Sequence, residues 1–196
     1  LEQLSLIYFC EQDILKSCTK TSLLEQTEAF NEFCFERGCD QSQIKDISLL
    51  REELVEGLLN QQFIPVHNDF ERRNLIMCKN EIFVIDFQDL NVGPIGIDLA
   101  SLLYEHDFDY SNDLIKDVLS SHIMSSGLQI ETDEIMRHIM VALSHRSMRV
   151  VGTFNRYFKD GKLLNRKNDL VLFLIRICLG LSYLNKPQLK IIEKIL

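Results

Sequence analysis

Residues 63–106 read FIPVHNDFERRNLIMCKNEIFVIDFQDLNVGPIGIDLASLLYEH, and the polar residues in this stretch stand where an apolar pattern should have continued. The apolar run 63–66 is stopped by His67-Asn68-Asp69. Two further runs, 75–77 and 82–87, flank the turn-like Lys79-Asn80-Glu81, which predicts a β-hairpin. With the loop centred on Asn80, Cys78 pairs with Ile82, Met77 pairs with Phe83, and outward continuation sets Asn74 opposite Asp86. Direct cross-strand neighbours have Cβ atoms about 4.5–5.5 Å apart, so this register puts both side chains on one face. An Asn and an Asp at that spacing can share one hard cation, because Mg²⁺ takes oxygen ligands and keeps several of its waters. Asp69, five residues before Asn74, lies on the loop leading to the same place. Taken singly, each of the three is an ordinary loop residue. Together they point to a site, since a buried strand end such as IFVIDF rarely carries an unpartnered carboxylate.

His67-x-Asp69-x-x-x-x-Asn74, followed by Ile85-Asp86-Phe87, resembles the catalytic loop and metal-binding aspartate of the aminoglycoside phosphotransferase and choline kinase-like family, small-molecule relatives of the protein kinases. The string FQDLNVGPIGIDLASLL, residues 87–103, is similar to one branch, the bacterial sugar kinases that phosphorylate N-acetylmuramate and N-acetylglucosamine at the anomeric position. The resemblance implies ATP and Mg²⁺ as cofactors, with Asp69 as catalytic base or positioning carboxylate for the sugar hydroxyl. It makes Asn74 and Asp86 the residues that hold Mg²⁺ on the nucleotide phosphates. Phosphoryl transfer asks a protein mainly to align a nucleophile and neutralise phosphate charge, which suits such a set. His67 is expected to brace the loop by hydrogen bonding, since Asp69 alone can do the motif's proton work. Asp98 stands before the apolar segment 99–104, where it would cap a first helical turn; the resemblance makes it a support of the catalytic loop. Gln88 and Asp89 go with the branch, as substrate-side or branch-specific residues. Asn68 departs from the Gly or Arg common at its position.

The 196 residues carry 46% hydrophobic content, which suits one soluble core. The net charge of −8 hides an asymmetry: residues 1–110 hold 8 basic and 21 acidic side chains, whereas 111–196 hold 13 and 8. An acidic half around the motif suits Mg²⁺ and argues against nucleic acid as a partner. Six cysteines at 10, 18, 34, 39, 78 and 178 show no CxxC and no His at zinc spacing, which suits thiols in a reducing cytoplasm. No signal peptide is visible. The most hydrophobic run, 170–184, contains Arg176 and falls short of the roughly 20 residues that cross a bilayer, so it reads as a core helix and no membrane partner is expected.

Helical spacing is expected over 1–16, which begins without a cap and looks cut, and over 22–37, where Phe30, Phe33 and Cys34 form one stripe. TEAFNEFCFER is similar to an acidic-aromatic helix of the sugar-kinase branch, although a stripe at that spacing is more often core than pocket. Asp46 or Ser48 can cap a helix through Leu59. Ser111 starts a helix to Ser125, Thr132 a longer one to Phe158 that Gly152 weakens, and Pro187 a final short one, with Asp160-Gly161 as a turn. His138, His145 and Arg149 read as a polar helix face rather than a second site.

The fold expected is α+β and mainly helical: about seven helices around a short strand and a hairpin bearing the site. No GxGxxG or GxxxxGK occurs. The resemblance therefore implies a protein-kinase-like C-terminal lobe, residues 1–196 as one domain, with the N-terminal nucleotide-covering lobe and its Lys absent. A bare apolar docking surface and self-association are expected from that absence. The function implied is ATP-dependent phosphorylation of an amino sugar in cell-wall recycling. The other readings are an aminoglycoside, choline or homoserine kinase, or a non-catalytic lobe that binds a ligand or partner.

Overall fold

In the computed structural model residues 1–105 and 110–196 are described; His106, the last residue of the stretch quoted above, lies outside them. Nine α-helices and four short strands occur among the described residues. In chain order these are α1 Glu2–Ile7, α2 Lys20–Gln26, α3 Glu28–Glu36, α4 Gln41–Leu59, β1 Phe63–Val66, β2 Leu75–Cys78, β3 Glu81–Val84, β4 Asn91–Pro94, α5 Gly96–Leu103, α6 Asn112–Ser126, α7 Thr132–Lys159, α8 Lys167–Tyr183 and α9 Leu189–Ile195. The chain divides into two compact units, Leu1–Cys18 with Gln61–Ile139, and Thr19–Asn60 with Met140–Leu196.

The second unit is helical. Asp40 starts α4 with a reciprocal capping box: its carboxylate accepts the Gln43 N–H at 2.9 Å, and the Gln43 side chain accepts the Asp40 N–H at 3.0 Å. This places the start six residues before Asp46, because the 41–44 segment needs no earlier apolar residue once both orphan N–H groups are satisfied. Ile47, Leu50, Leu54 and Leu58 then repeat on one buried stripe. Arg51 is buried on the same side, donating to the Thr27 hydroxyl at 2.9 Å and the Leu24 carbonyl at 2.7 Å. Those bonds favour the break at Thr27, where the expected helix 22–37 separates into α2 and α3: a guanidinium takes the end of α2 as a cation suits a helix C-terminus. Phe30 and Phe33 of α3 are fully buried and stacked at 5.9 Å, as core rather than pocket lining. His145 of α7 is interior too, its Nε2 2.9 Å from the Leu23 carbonyl, so the polar-face reading fails for this residue.

The first unit carries the central stretch. β1 pairs antiparallel with β4, Phe63 opposite Pro94 and Val66 opposite Asn91. The β4 strand is absent from the sequence expectations, since Asn91-Val92-Gly93-Pro94 has only one strand-forming residue. On its other side the 16–18 segment adds a bridge, Val92 donating to the Lys16 carbonyl and Cys18 to the Val92 carbonyl, each at 2.8 Å. The chain over 1–16 is correspondingly less helical than its spacing predicts, with α1 ending at Ile7. Leu4, Val66, Phe70, Leu99 and Leu119 form part of this unit's core. β2 and β3 form a separate two-stranded ribbon whose apolar side chains are largely exposed, Met77 at 73% and Phe83 at 50%.

Candidate active site

β1 ends in a buried Val66, and the next two residues enter a tight, fully bonded loop. Asp98, in the first turn of α5, is fully buried and uses both carboxylate oxygens: Oδ2 accepts the His67 backbone N–H at 2.6 Å, and Oδ1 accepts that of Asn68 at 2.8 Å. Asp98 is therefore not the cap expected of it. α5 begins earlier, at Gly96 with Ile95 in the cap position, and the carboxylate faces the loop. Burial pushes the Asp98 carboxyl up to about 6; the two N–H bonds and His67 oppose that rise, and the Asp69 charge adds to it.

His67 braces the loop through its ring as well. Its Nε2 lies 2.9 Å from the Ile85 carbonyl, so the Nε2 position carries the proton, and the ring packs edge-on against buried Phe70. Asn68 takes a left-handed backbone conformation with φ 69°, which Asn tolerates better than most residues. Its side-chain amide donates to the Asp89 carbonyl at 2.6 Å.

Asp69 is partly exposed, with its carboxylate 2.8 Å from the Arg73 guanidinium. Asn74 donates from Nδ2 to the Asp69 carbonyl at 2.8 Å and to Asp69 Oδ2 at 3.2 Å. Its carboxamide oxygen is thereby turned away from Asp69 and has no hydrogen bond among the described residues. Arg73 also pairs with buried Glu71 at 3.0 Å. Arg72 pairs with Glu105, buried just after α5, whose carboxylate also accepts the Arg72 backbone N–H at 3.1 Å. Three ion pairs thus hold the segment between Asp69 and Asn74.

The hairpin register differs by one residue from expectation. Leu75 faces Val84 and Cys78 faces Glu81, so Asn74 stands opposite Ile85, not Asp86. The reason is the turn. Lys79 and Asn80 both have positive φ, 48° and 66°, which is the two-residue type I′ geometry that matches strand twist, whereas a loop centred on Asn80 would need three residues. Strict alternation would place Asp86 on the face opposite Asn74. Asp86 escapes that alternation because its own backbone is left-handed, φ 66° and ψ 38°, and opens a single 3-10 turn over Phe87–Asp89. Around Arg73, burial alone would lower the guanidinium pKa; the charges of Glu71, Asp69 and Asp86 outweigh it and hold the group above its usual value. Asp69 and Asp86 therefore both act on the same cation. Gln88 and Asp89 are exposed, and the contact Asp89 makes to the loop is through its backbone carbonyl.

Sequence reasoning missed Glu71, Arg73 and Glu105. The i, i+4 spacing of Asp69 and Arg73 was a usable signal; Glu105, 33 residues from Arg72, gave none. For a cation, the candidate donors are the free carboxamide oxygen of Asn74 and the carboxylate of Asp86, which makes no capping hydrogen bond. An all-oxygen set fits Mg²⁺ better than a transition metal.

Two solved structures share this fold. The gentamicin complex of APH(2″)-IIa superimposes with a TM-score of 0.60 at 20% identity, covering 96% of this chain and 60% of that one. The ADP-bound aminoglycoside phosphotransferase APH(2″)-Ib gives 0.54 at 18% identity, covering 92% and 60%. The chain belongs to the phosphotransferase enzyme family, whose model matches residues 23–122. The N-acetylmuramate/N-acetylglucosamine kinase of Neisseria meningitidis serogroup B is 34% identical over 115 residues, 56% of this chain and 34% of the relative. The chain thus spans about a third of that relative's length. No helix among the described residues is long and apolar enough to cross a membrane.

Proposed function

We propose that this protein transfers the terminal phosphoryl group of ATP to a hydroxyl of an amino sugar of the N-acetylmuramate or N-acetylglucosamine type, in the cytoplasm, with residues 1–196 acting together as its catalytic lobe. The observation that carries the reading is the Asp69–Arg73 pair beside Asn74, on a loop tied down at both ends, with the Asp86 charge felt by the same guanidinium. The sugar assignment follows the relative from Neisseria meningitidis, whose name gives that substrate class.

In this reading Asp69 receives the sugar hydroxyl and takes its proton as the oxygen bonds to the terminal phosphorus and the bond from that phosphorus to the bridging oxygen breaks, releasing ADP. Its partial exposure leaves room for a substrate, and the Asn74 amide fixes the carboxylate by two contacts to the same residue. Asn74 Oδ1 and Asp86 would hold Mg²⁺, which would supply charge neutralisation for the nucleotide phosphates. Arg73 holds Asp69 in place before substrate arrives, and the exposed apolar side chains Ile76 and Phe83 of the hairpin, with Ile85 just after it, offer cover for a nucleotide base. Orientation of this kind supplies much of the rate in phosphoryl transfer, where the protein forms no bond of its own.

The test is ADP release by the full-length gene product, with ATP, Mg²⁺ and a panel of N-acetylglucosamine, N-acetylmuramate, choline, homoserine and gentamicin. Sugar-dependent ADP release with an acid-labile sugar phosphate as product supports the reading. Turnover confined to another acceptor replaces the substrate class, and none with any acceptor removes the activity.

A further inference from the structure

Two consecutive residues of the loop, His67 and Asn68, reach the chain on either side of Asp86. His67 donates from Nε2 to the Ile85 carbonyl, immediately before Asp86, at 2.9 Å. Asn68 donates from its amide to the Asp89 carbonyl, at the end of the turn that Asp86 opens, at 2.6 Å. The backbone N–H groups of the same two residues are held by the two oxygens of a single buried carboxylate, Asp98. Asp86 itself has no side-chain cap and sits on exposed chain in a left-handed conformation, so local packing does little to fix it. Removing either side of the bracket would leave that side of the turn held only by the strand that flanks it.

We propose that Asn68 is a positioning residue for the metal-binding carboxylate: its side-chain amide, anchored through Asp98, closes the far side of the bracket and fixes where Asp86 presents its oxygens. This rests on the proposed Mg²⁺ role of Asp86. The conformation explains why the residue can do this at all. At φ 69° a β-branched or bulky side chain is strained, Gly is comfortable but carries no donor, and Asn combines tolerance of the left-handed region with an N–H₂ that reaches a carbonyl. His67 alone does not supply the restraint, because its bond ends before Asp86 and the next tie to the rest of the fold beyond the turn is the pairing of Asn91 with Val66.

The bond is separable from the fold. Asn68→Gly keeps the backbone conformation and the N–H to Asp98 while deleting the amide; Asn68→Asp keeps the conformation and replaces the donor by an acceptor. The experiment uses the full-length protein and Mn²⁺ in place of Mg²⁺, its binding in the presence of ADP read by electron paramagnetic resonance without turnover. Both variants should bind Mn²⁺ about tenfold more weakly and need correspondingly more Mg²⁺ for half-maximal rate. KM for the acceptor and circular dichroism should be unchanged. Wild-type metal affinity in Asn68→Gly overturns the proposal, as does a loss of rate with unaltered metal dependence. If wild-type protein binds Mn²⁺ with ADP but phosphorylates no acceptor, the substrate reading fails while the comparison of metal affinities still decides the role of Asn68. If wild type binds no metal, both fall.

Discussion

Asn74 accepts the N–H of Ile85 on its backbone carbonyl at 3.0 Å, a ladder bond just past the last named pair of the hairpin, and Asp86 is the first residue beyond it. The two polar groups are thus held by different means: Asn74 by its bonds to Asp69, Asp86 by a backbone that has left the strand. Their substitutions should fail differently.

Asp69→Asn should lower kcat by about 10²–10⁴, the range a positioned general base supplies, with Mn²⁺ affinity unchanged. The fold should survive, since the pair with Arg73 is exposed enough to contribute about 1 kcal/mol or less. Asp86→Asn should instead raise the Mg²⁺ concentration needed for half-maximal rate. Steady-state kinetics against Mg²⁺ for both variants checks this, and near-normal turnover by Asp69→Asn would remove its catalytic role.

Much of this was legible because loops with chemistry break patterns. The 63–66 strand, the hairpin, the polar interruptions and the start of α6 at Ser111 follow from period and turn chemistry. The register was not legible, since Lys79-Asn80-Glu81 admits a two- or a three-residue loop and only the backbone shows which. Neither was the partner of Asp98, 31 residues from His67, because a helix-start Asp reads locally as a cap. His145 looked like a surface group for the same reason: its partner, the Leu23 carbonyl, is distant in sequence.

Asp98 and His145 make opposite contributions to the pH dependence of stability. Asp98 titrates at about 6 in the folded chain against 3.8 unfolded, so its contribution is full below 3.8 and is lost as pH rises through 6. Burial pulls His145 down to about 4 from 6.5, so its contribution is present above 6.5 and is lost as pH falls through 4. His145→Gln, which can keep a donor to the Leu23 carbonyl, should therefore cost more at pH 7 than at pH 4.5. Thermal midpoints of both proteins at the two pH values provide the check; an equal difference at both would contradict a buried neutral His145.

The hairpin turn should respond to chirality rather than polarity. Asn80→Gly relieves a left-handed residue but adds entropy to the unfolded chain, so the two effects should nearly cancel and stability should change little. Asn80→Val puts a β-branched side chain at φ 66° and should destabilise the ribbon. Hydrogen exchange of the Phe83 and Ile85 amides, which point into the ladder, reads the ribbon directly, and faster exchange in the Gly variant than in the Val variant would contradict the type I′ assignment.

Gly152 in α7 offers a test in which two principles predict opposite signs. Helix propensity alone makes Gly152→Ala stabilising by about 1 kcal/mol, as the sequence reading of a weakened helix implies. A Cβ built at Gly152, however, would lie 2.7 Å from the Cβ of Ala29 and 2.8 Å from the backbone C of Ala29 and N of Phe30. Those are atoms of α3 itself, not the ends of flexible side chains, so relief requires the helix to shift. Overpacking of that kind costs about 1–3 kcal/mol, which outweighs the propensity gain. Gly57→Ala in α4 serves as the comparison, because its Cβ would meet only the Val141 side chain, its methyls at 3.1 and 3.5 Å, and propensity should nearly cancel the crowding there. Urea unfolding should then rank Gly57→Ala above Gly152→Ala by about 1 kcal/mol or more, with Gly152→Ala below wild type. A stabilised Gly152→Ala protein would mean that α3 and α7 do not pack backbone to backbone at this point.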